Sequence, residues 1–192
     1  MEAAEAGPLT GRPSVLVEAC VDALDAALEA ACGGADRLEL CGELLQGGVT
    51  PSAGLIGAVW EEIDIPLFVL IRPRTGDFLY SAGEIDVMHR DIALAKSLDA
   101  DGVVLGALTA DGVGDVVILR RRSLAARPMR VTFHRAFDFV RDQDAALELL
   151  IELGVDRVLT SGGAPTALEG APALARLVEV AGDRLTVLAG GS

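Results

Sequence analysis

Gly33-Gly34-Ala35-Asp36-Arg37-Leu38-Glu39-Leu40-Cys41 joins the end of an alanine-rich helical stretch to a short apolar strand that finishes on a carboxylate and a thiol. Glycine suits the left-handed residue that closes a helix, aspartate caps the turn, and the following residues alternate as in an extended chain. The connector returns as Leu98-Asp99-Ala100-Asp101-Gly102-Val103, Leu153-Gly154-Val155-Asp156-Arg157-Val158 and Gly182-Asp183-Arg184-Leu185. Strands start near Val15, Arg37, Leu67, Gly102, Met129, Arg157 and Leu185, with helical stretches between them. This βα repetition makes the fold class α/β, a TIM (β/α)8-type barrel, with parallel strands in sequential order and helices outside. The sequence stops at Leu188-Ala189-Gly190-Gly191-Ser192, just past the seventh strand. The expected barrel therefore reads as truncated, lacking the eighth βα unit of a complete barrel of ~250 residues.

Half of the 192 residues are apolar, enough for one sizeable core, and a single barrel domain is expected over residues 14–192. Residues 1–13, acidic with Gly and Pro, read as a flexible leader that lacks the basic and apolar regions of a signal peptide. A formal net charge of −13 argues against nucleic acid or an anionic membrane as partner. No apolar run approaches the ~20 residues of a membrane span. Three cysteines in a long chain do not resemble a disulfide framework, and free thiols point to a reducing, cytoplasmic compartment.

Helices follow the 3.6-residue period. Asp22 is placed to cap one through Leu24, Leu28 and Ala31, Ser81 one through Ile85, Met88 and Ile92, and Asp142 one through Ala146, Leu149 and Leu153. The segment from Gly42 to Leu55, with Gly47-Gly48 and Thr50-Pro51-Ser52, reads as a long loop on the active face leading into a helix over Leu55 to Glu62.

Polar residues at strand ends mark the site. Glu18 and Cys20 share one parity on the first strand, Glu39 and Cys41 on the second, and neighbouring strands run about 4.8 Å apart, so the two thiols are expected to be neighbours. A soft thiolate pair selects Cu(I) or Zn(II), and Cu(I) accepts low coordination; a buried cysteine equally serves as a small apolar filler. Cys32, among alanines, is read as filler. Arg72 ends the third strand in Arg72-Pro73-Arg74, and Thr132-Phe133-His134-Arg135 ends the fifth. Arg and His at one mouth suit an anionic ligand or proton transfer, or an internal ion-pair network of Glu18 and Glu39 with Arg72 and Arg135. Glu18 and Glu39 are expected to face the barrel interior and to contact Arg72, Arg74 or Arg135, because an unpaired buried carboxylate is costly. Ser161-Gly162-Gly163 and Gly190-Gly191 are candidates for an anion-binding backbone nest, and equally for plain tight turns.

Several blocks together, Val17-Glu18-Ala19-Cys20-Val21-Asp22, Gly33 to Cys41, Gly47-Gly48-Val49-Thr50-Pro51-Ser52, Ile71-Arg72-Pro73-Arg74, Gly76-Asp77-Phe78, Thr132-Phe133-His134-Arg135-Ala136-Phe137-Asp138 and Leu159-Thr160-Ser161-Gly162, resemble the CutC family of copper homeostasis proteins. The resemblance runs from Val15 to the last residue. It implies a cytoplasmic TIM barrel with a role in copper handling, and Cys20 and Cys41 as ligands of a copper ion, Cu(I). Homo-oligomers fit this expectation. The alternative is an enzyme in which Glu18, Glu39, Arg72, His134 and Arg135 act on a small anionic metabolite, with a carboxylate or His134 as acid or base.

Overall fold

The computed structural model of the chain describes residues 15–191, so the leader expected over residues 1–13 lies outside the described residues. Seven strands form one sheet in sequence order: β1 (Glu18–Val21), β2 (Arg37–Leu40), β3 (Leu67–Leu70), β4 (Gly102–Leu105), β5 (Arg130–Phe133), β6 (Arg157–Thr160) and β7 (Thr186–Ala189). All six neighbouring pairs are parallel, as the repeated connector requires. Between the strands run α1 (Leu24–Cys32), α2 (Ala53–Glu62), α3 (Ala82–Ser97), α4 (Val116–Ala126), α5 (Gln143–Glu152) and α6 (Ala171–Ala181). Residues of the first and last strands border one cavity, so the sheet curls toward a barrel, yet β1 and β7 do not pair among the described residues.

Alternate strand residues serve two cores. Leu38, Leu40, Leu67, Val69, Val103, Val131 and Phe133 point outward to the helices. Cys41, Phe68, Leu70 and Val104 form a separate cluster inside. Burial on both faces is why these strands read as nearly continuous apolar runs. Phe68 fills the interior because Gly102 on the next strand has no side chain: a Cβ there would lie 2.1 Å from the ring.

The connectors do more than end helices. Gly34, Gly154 and Gly182 take positive φ, as expected, whereas α3 is closed by Asp99 at φ 56°. The aspartates do not cap their own turns. Asp36 donates its N–H to the Val17 carbonyl (2.9 Å) and accepts the Val17 N–H on its carboxylate (2.7 Å). Asp101 clamps Leu67 in the same way (3.0 and 2.8 Å), and Asp156 clamps Val131 (3.0 and 2.8 Å). Each therefore fixes the register of its own strand against the preceding one.

Ser81 caps α3 in a reciprocal capping box with Glu84, and Asp142 caps α5 through the N–H groups of Asp144 and Ala145. Asp22 does not cap α1. Its carboxylate accepts the Leu44 N–H (3.0 Å) and so ties the loop after β2 to the end of β1. That loop is shorter than the sequence suggests: a 3₁₀ turn at Leu44–Gln46 and a bridge between Gly42 and Val49 organise it, and α2 starts at Ala53 under a Ser52 cap.

Candidate functional site

Parallel pairing sets Glu18 beside Arg37 and Cys20 beside Glu39, all on the inner face. Cys41 follows two residues after Glu39, and the sulfurs of Cys20 and Cys41 stand 4.0 Å apart. Cys41 is fully buried and directs its thiol toward the Val21 carbonyl (3.6 Å), while Cys20 is exposed at the edge of the sheet. The hydrogen bond with Cys41 pushes the Cys20 thiol well above its ordinary range, helped by partial desolvation and the nearby Glu39 and Glu18 carboxyls, although the residue is exposed at the sheet edge. Cys32, the last residue of α1, is exposed, so it is not the buried filler its alanine neighbours suggest.

Glu18, Cys20, Arg37 and Glu39 border a cavity of about 520 Å³ that opens between β1 and β7. Both carboxylates therefore face inward, but their partners differ from those expected. Glu18 pairs with Arg37, its cross-strand neighbour, rather than with Arg72, Arg74 or Arg135. Glu39 accepts no hydrogen bond among the described residues. Burial, reinforced by Glu18 and only partly offset by Arg37, raises its pKa to about 8, so the acid is met by protonation instead of an ion pair. Deeper on the same face, the guanidinium of Arg157 lies 4.4 Å from the Phe68 ring centroid and that of Arg37 5.5 Å. Burial, with Arg37 and Arg130 nearby, lowers the Arg157 pKa to about 10.

Arg72 ends β3 as a clamp. Its guanidinium donates to the carbonyls of Gly47 (2.8 Å), Gly48 (3.0 Å) and Gly76 (2.7 Å). Gly48 packs so closely on Leu70 and Cys41 that a Cβ there would lie 2.8 Å from the Leu70 side chain and 3.5 Å from the Cys41 sulfur, and its φ of +79° also favours glycine. The loop Arg72 holds is thus the lid over Cys41. Arg74 turns away to Asp77 and Glu84.

His134 leans across β4. A Cβ on Gly106 would lie 2.5 Å from its ring, and Phe78 packs against the ring, tilted by 46°, at 4.8 Å between centroids. Its Nδ1 accepts the Ala136 N–H (3.1 Å), which assigns the proton of the neutral ring to Nε2. Burial and the adjacent Arg72 charge lower its pKa to about 3. His134 is therefore a neutral donor at ordinary pH.

The glycine loops already hold an anion of the chain's own. The Asp138 carboxylate accepts the N–H groups of Ser161 (3.1 Å) and Gly163 (3.1 Å), the Thr160 hydroxyl and the Arg135 guanidinium (2.8 Å). Burial alone would raise this carboxyl, but the bonds from Thr160, Arg135, Ser161 and Gly163 outweigh it and hold it below the usual range. Gly162 gives its N–H to Thr160, Gly190 donates to the Thr160 carbonyl, and Gly191 packs on Arg135. Of the residues expected to form a nest for an external ligand, Ser161 and Gly163 thus give their N–H groups to Asp138, and Arg135 pairs with the same carboxylate. Asp138 carries no role in the sequence reading, because the loop it grips lies more than twenty residues away. Arg37 and Arg157 were legible through parity, each lying an even number of residues before Cys41 and Ser161.

A copper homeostasis protein cutC homolog from Homo sapiens is 54% identical over 176 residues, covering 92% of this chain and 64% of its own length. A family protein CutC from Histophilus somni is 52% identical over 174 residues, 91% of this chain and 72% of its own. The chain thus spans less than two thirds of the human relative. The crystal structure of CutC from Streptococcus agalactiae superposes with a TM-score of 0.88 at 33% identity, covering 93% of this chain and 88% of that one. With the CutC family model matching residues 15–192, the chain belongs to the CutC family.

Proposed function

We propose that the chain serves copper homeostasis by binding one Cu(I) through Cys20 and Cys41 at the mouth of the barrel, in the cytoplasm. The observation that carries this reading is the 4.0 Å separation of the two sulfurs. Metal–thiolate bonds of about 2.3 Å let one ion reach both sulfurs across such a gap. Among the described residues no group of three His, Cys, Asp or Glu side chains is gathered to hold a metal, which disfavours tetrahedral zinc and suits an ion content with two soft ligands. The exposed Cys20 offers an entry and the buried Cys41 an anchor. The name of the human relative, a copper homeostasis protein cutC homolog, supports the copper role. Among the described residues no helix is long and apolar enough to cross a membrane.

Both thiols must lose protons to become ligands, so binding should tighten as pH rises. X-ray absorption on the Cu(I)-loaded full chain carrying Cys32→Ser, kept reduced, tests the ligand set. Expected is a shell of two sulfurs; a shell dominated by nitrogen or oxygen would overturn the assignment.

A further inference from the structure

On and just past β3 and β5, three buried polar groups lack a hydrogen-bond partner among the described residues: Arg72 Nε, His134 Nε2 and Thr132 Oγ1, with the Tyr80 hydroxyl, also unpaired, close to Arg72. Arg72, His134 and Thr132 are 7%, 5% and 0% exposed. They belong to one neighbourhood. Phe78 touches both Arg72, whose guanidinium carbon lies 5.0 Å from the ring centroid, and His134 at 4.8 Å. Thr132 sits two residues below His134 on the same inner face, beside Val104. Buried donors left unpaired each cost about 1–3 kcal/mol, more when charged. Three together, around a guanidinium with no carboxylate in ion-pair range among the described residues, are what a bound acceptor would relieve.

We infer that Arg72, His134 and Thr132 form a binding site for a small monocarboxylate inside the barrel mouth. Arg72 supplies the single positive charge and one unpaired N–H, at Nε, since its terminal nitrogens already donate to Gly47, Gly48 and Gly76. His134, held neutral, and Thr132 supply hydrogen bonds without adding charge. A single charge suits a monoanion better than a phosphate dianion. The loop after β6 is not needed, since Asp138 takes its Ser161 and Gly163 N–H groups. The same Arg72 that reads the carboxylate holds Gly47 and Gly48 over Cys41, so ligand and thiol pair share a lid.

The test follows the His134 ring Nε2 resonance during titration of the full chain with sodium acetate, at ionic strength fixed with chloride, with inorganic phosphate in a parallel arm. Expected is a saturable shift with acetate, stronger than with phosphate, retained in Cys20→Ser/Cys41→Ser, and weakened about tenfold in Thr132→Val and in Arg72→Met. Arg72→Met also removes the loop clamp, so Thr132→Val, which keeps shape and fold, decides if the first variant misfolds. No saturable shift, preference for phosphate, or unchanged acetate affinity in Thr132→Val would overturn the site. None of these readings depends on copper.

Discussion

Asp138→Ala should lower the unfolding free energy by about 3–5 kcal/mol, the range for removing one partner from a buried charged network. The side chain is 5% exposed and gathers the Thr160 hydroxyl, two backbone N–H groups and the Arg135 guanidinium. Its loss strands those donors and frees the loop after β6 from the turn after β5. Asp138→Asn keeps one acceptor oxygen and sets an amide against Arg135, so a smaller loss of about 1–2 kcal/mol is expected. Urea unfolding of the three proteins measures both. A change below about 0.5 kcal/mol in the alanine variant would show that the carboxylate does not hold the loop.

Glu39 gives the largest pH effect. The folded carboxyl has a pKa of about 8 against 4.5 in the unfolded chain. Below 4.5 both states carry the proton and Glu39 contributes nothing to the pH dependence. Between 4.5 and 8 the unfolded state ionises while the folded state stays protonated, so stability falls as pH rises. Above 8 the loss is complete, about 4–5 kcal/mol from the span of the shift. Glu39→Gln removes this slope. The variant should match the parent in acid and exceed its stability increasingly across the window from 4.5 to 8, read by urea unfolding at stepped pH. Parallel stability curves for the two proteins would contradict the burial of an uncompensated acid.

The architecture was legible because it is local and repeated. A positive-φ glycine after a helix and an aspartate before a strand are short-range signals, and strand parity then placed Glu18, Cys20, Glu39 and Cys41 inside without any knowledge of distant contacts. Partners were less legible. Glu18 chose Arg37 because parallel register sets them side by side, and register depends on the Asp36 clamp to Val17, a tertiary bond. Asp22 looked like a helix cap because its spacing permits one, but the loop after β2 competes for the same carboxylate through Leu44. The Asp138 network joins the turn after β5 to the loop after β6, whose proximity comes from the β5–β6 pairing and not from sequence spacing. His134 and Arg72 were visible as strand-end polar residues. Their buried, unpaired atoms depend on the bare Gly106 and on the Phe78 ring, which no spacing rule reveals.

Competition for Cu(I) against a chromophoric chelator, under reducing conditions, bears most directly on the thiol pair. Parent protein and Cys32→Ser should hold the ion equally, whereas Cys20→Ser and Cys41→Ser should each lose about a hundredfold or more in affinity, because a hydroxyl is a hard, weak ligand for a soft ion. Undiminished Cu(I) affinity in the Cys20→Ser/Cys41→Ser double variant would contradict the copper site at the mouth of this barrel.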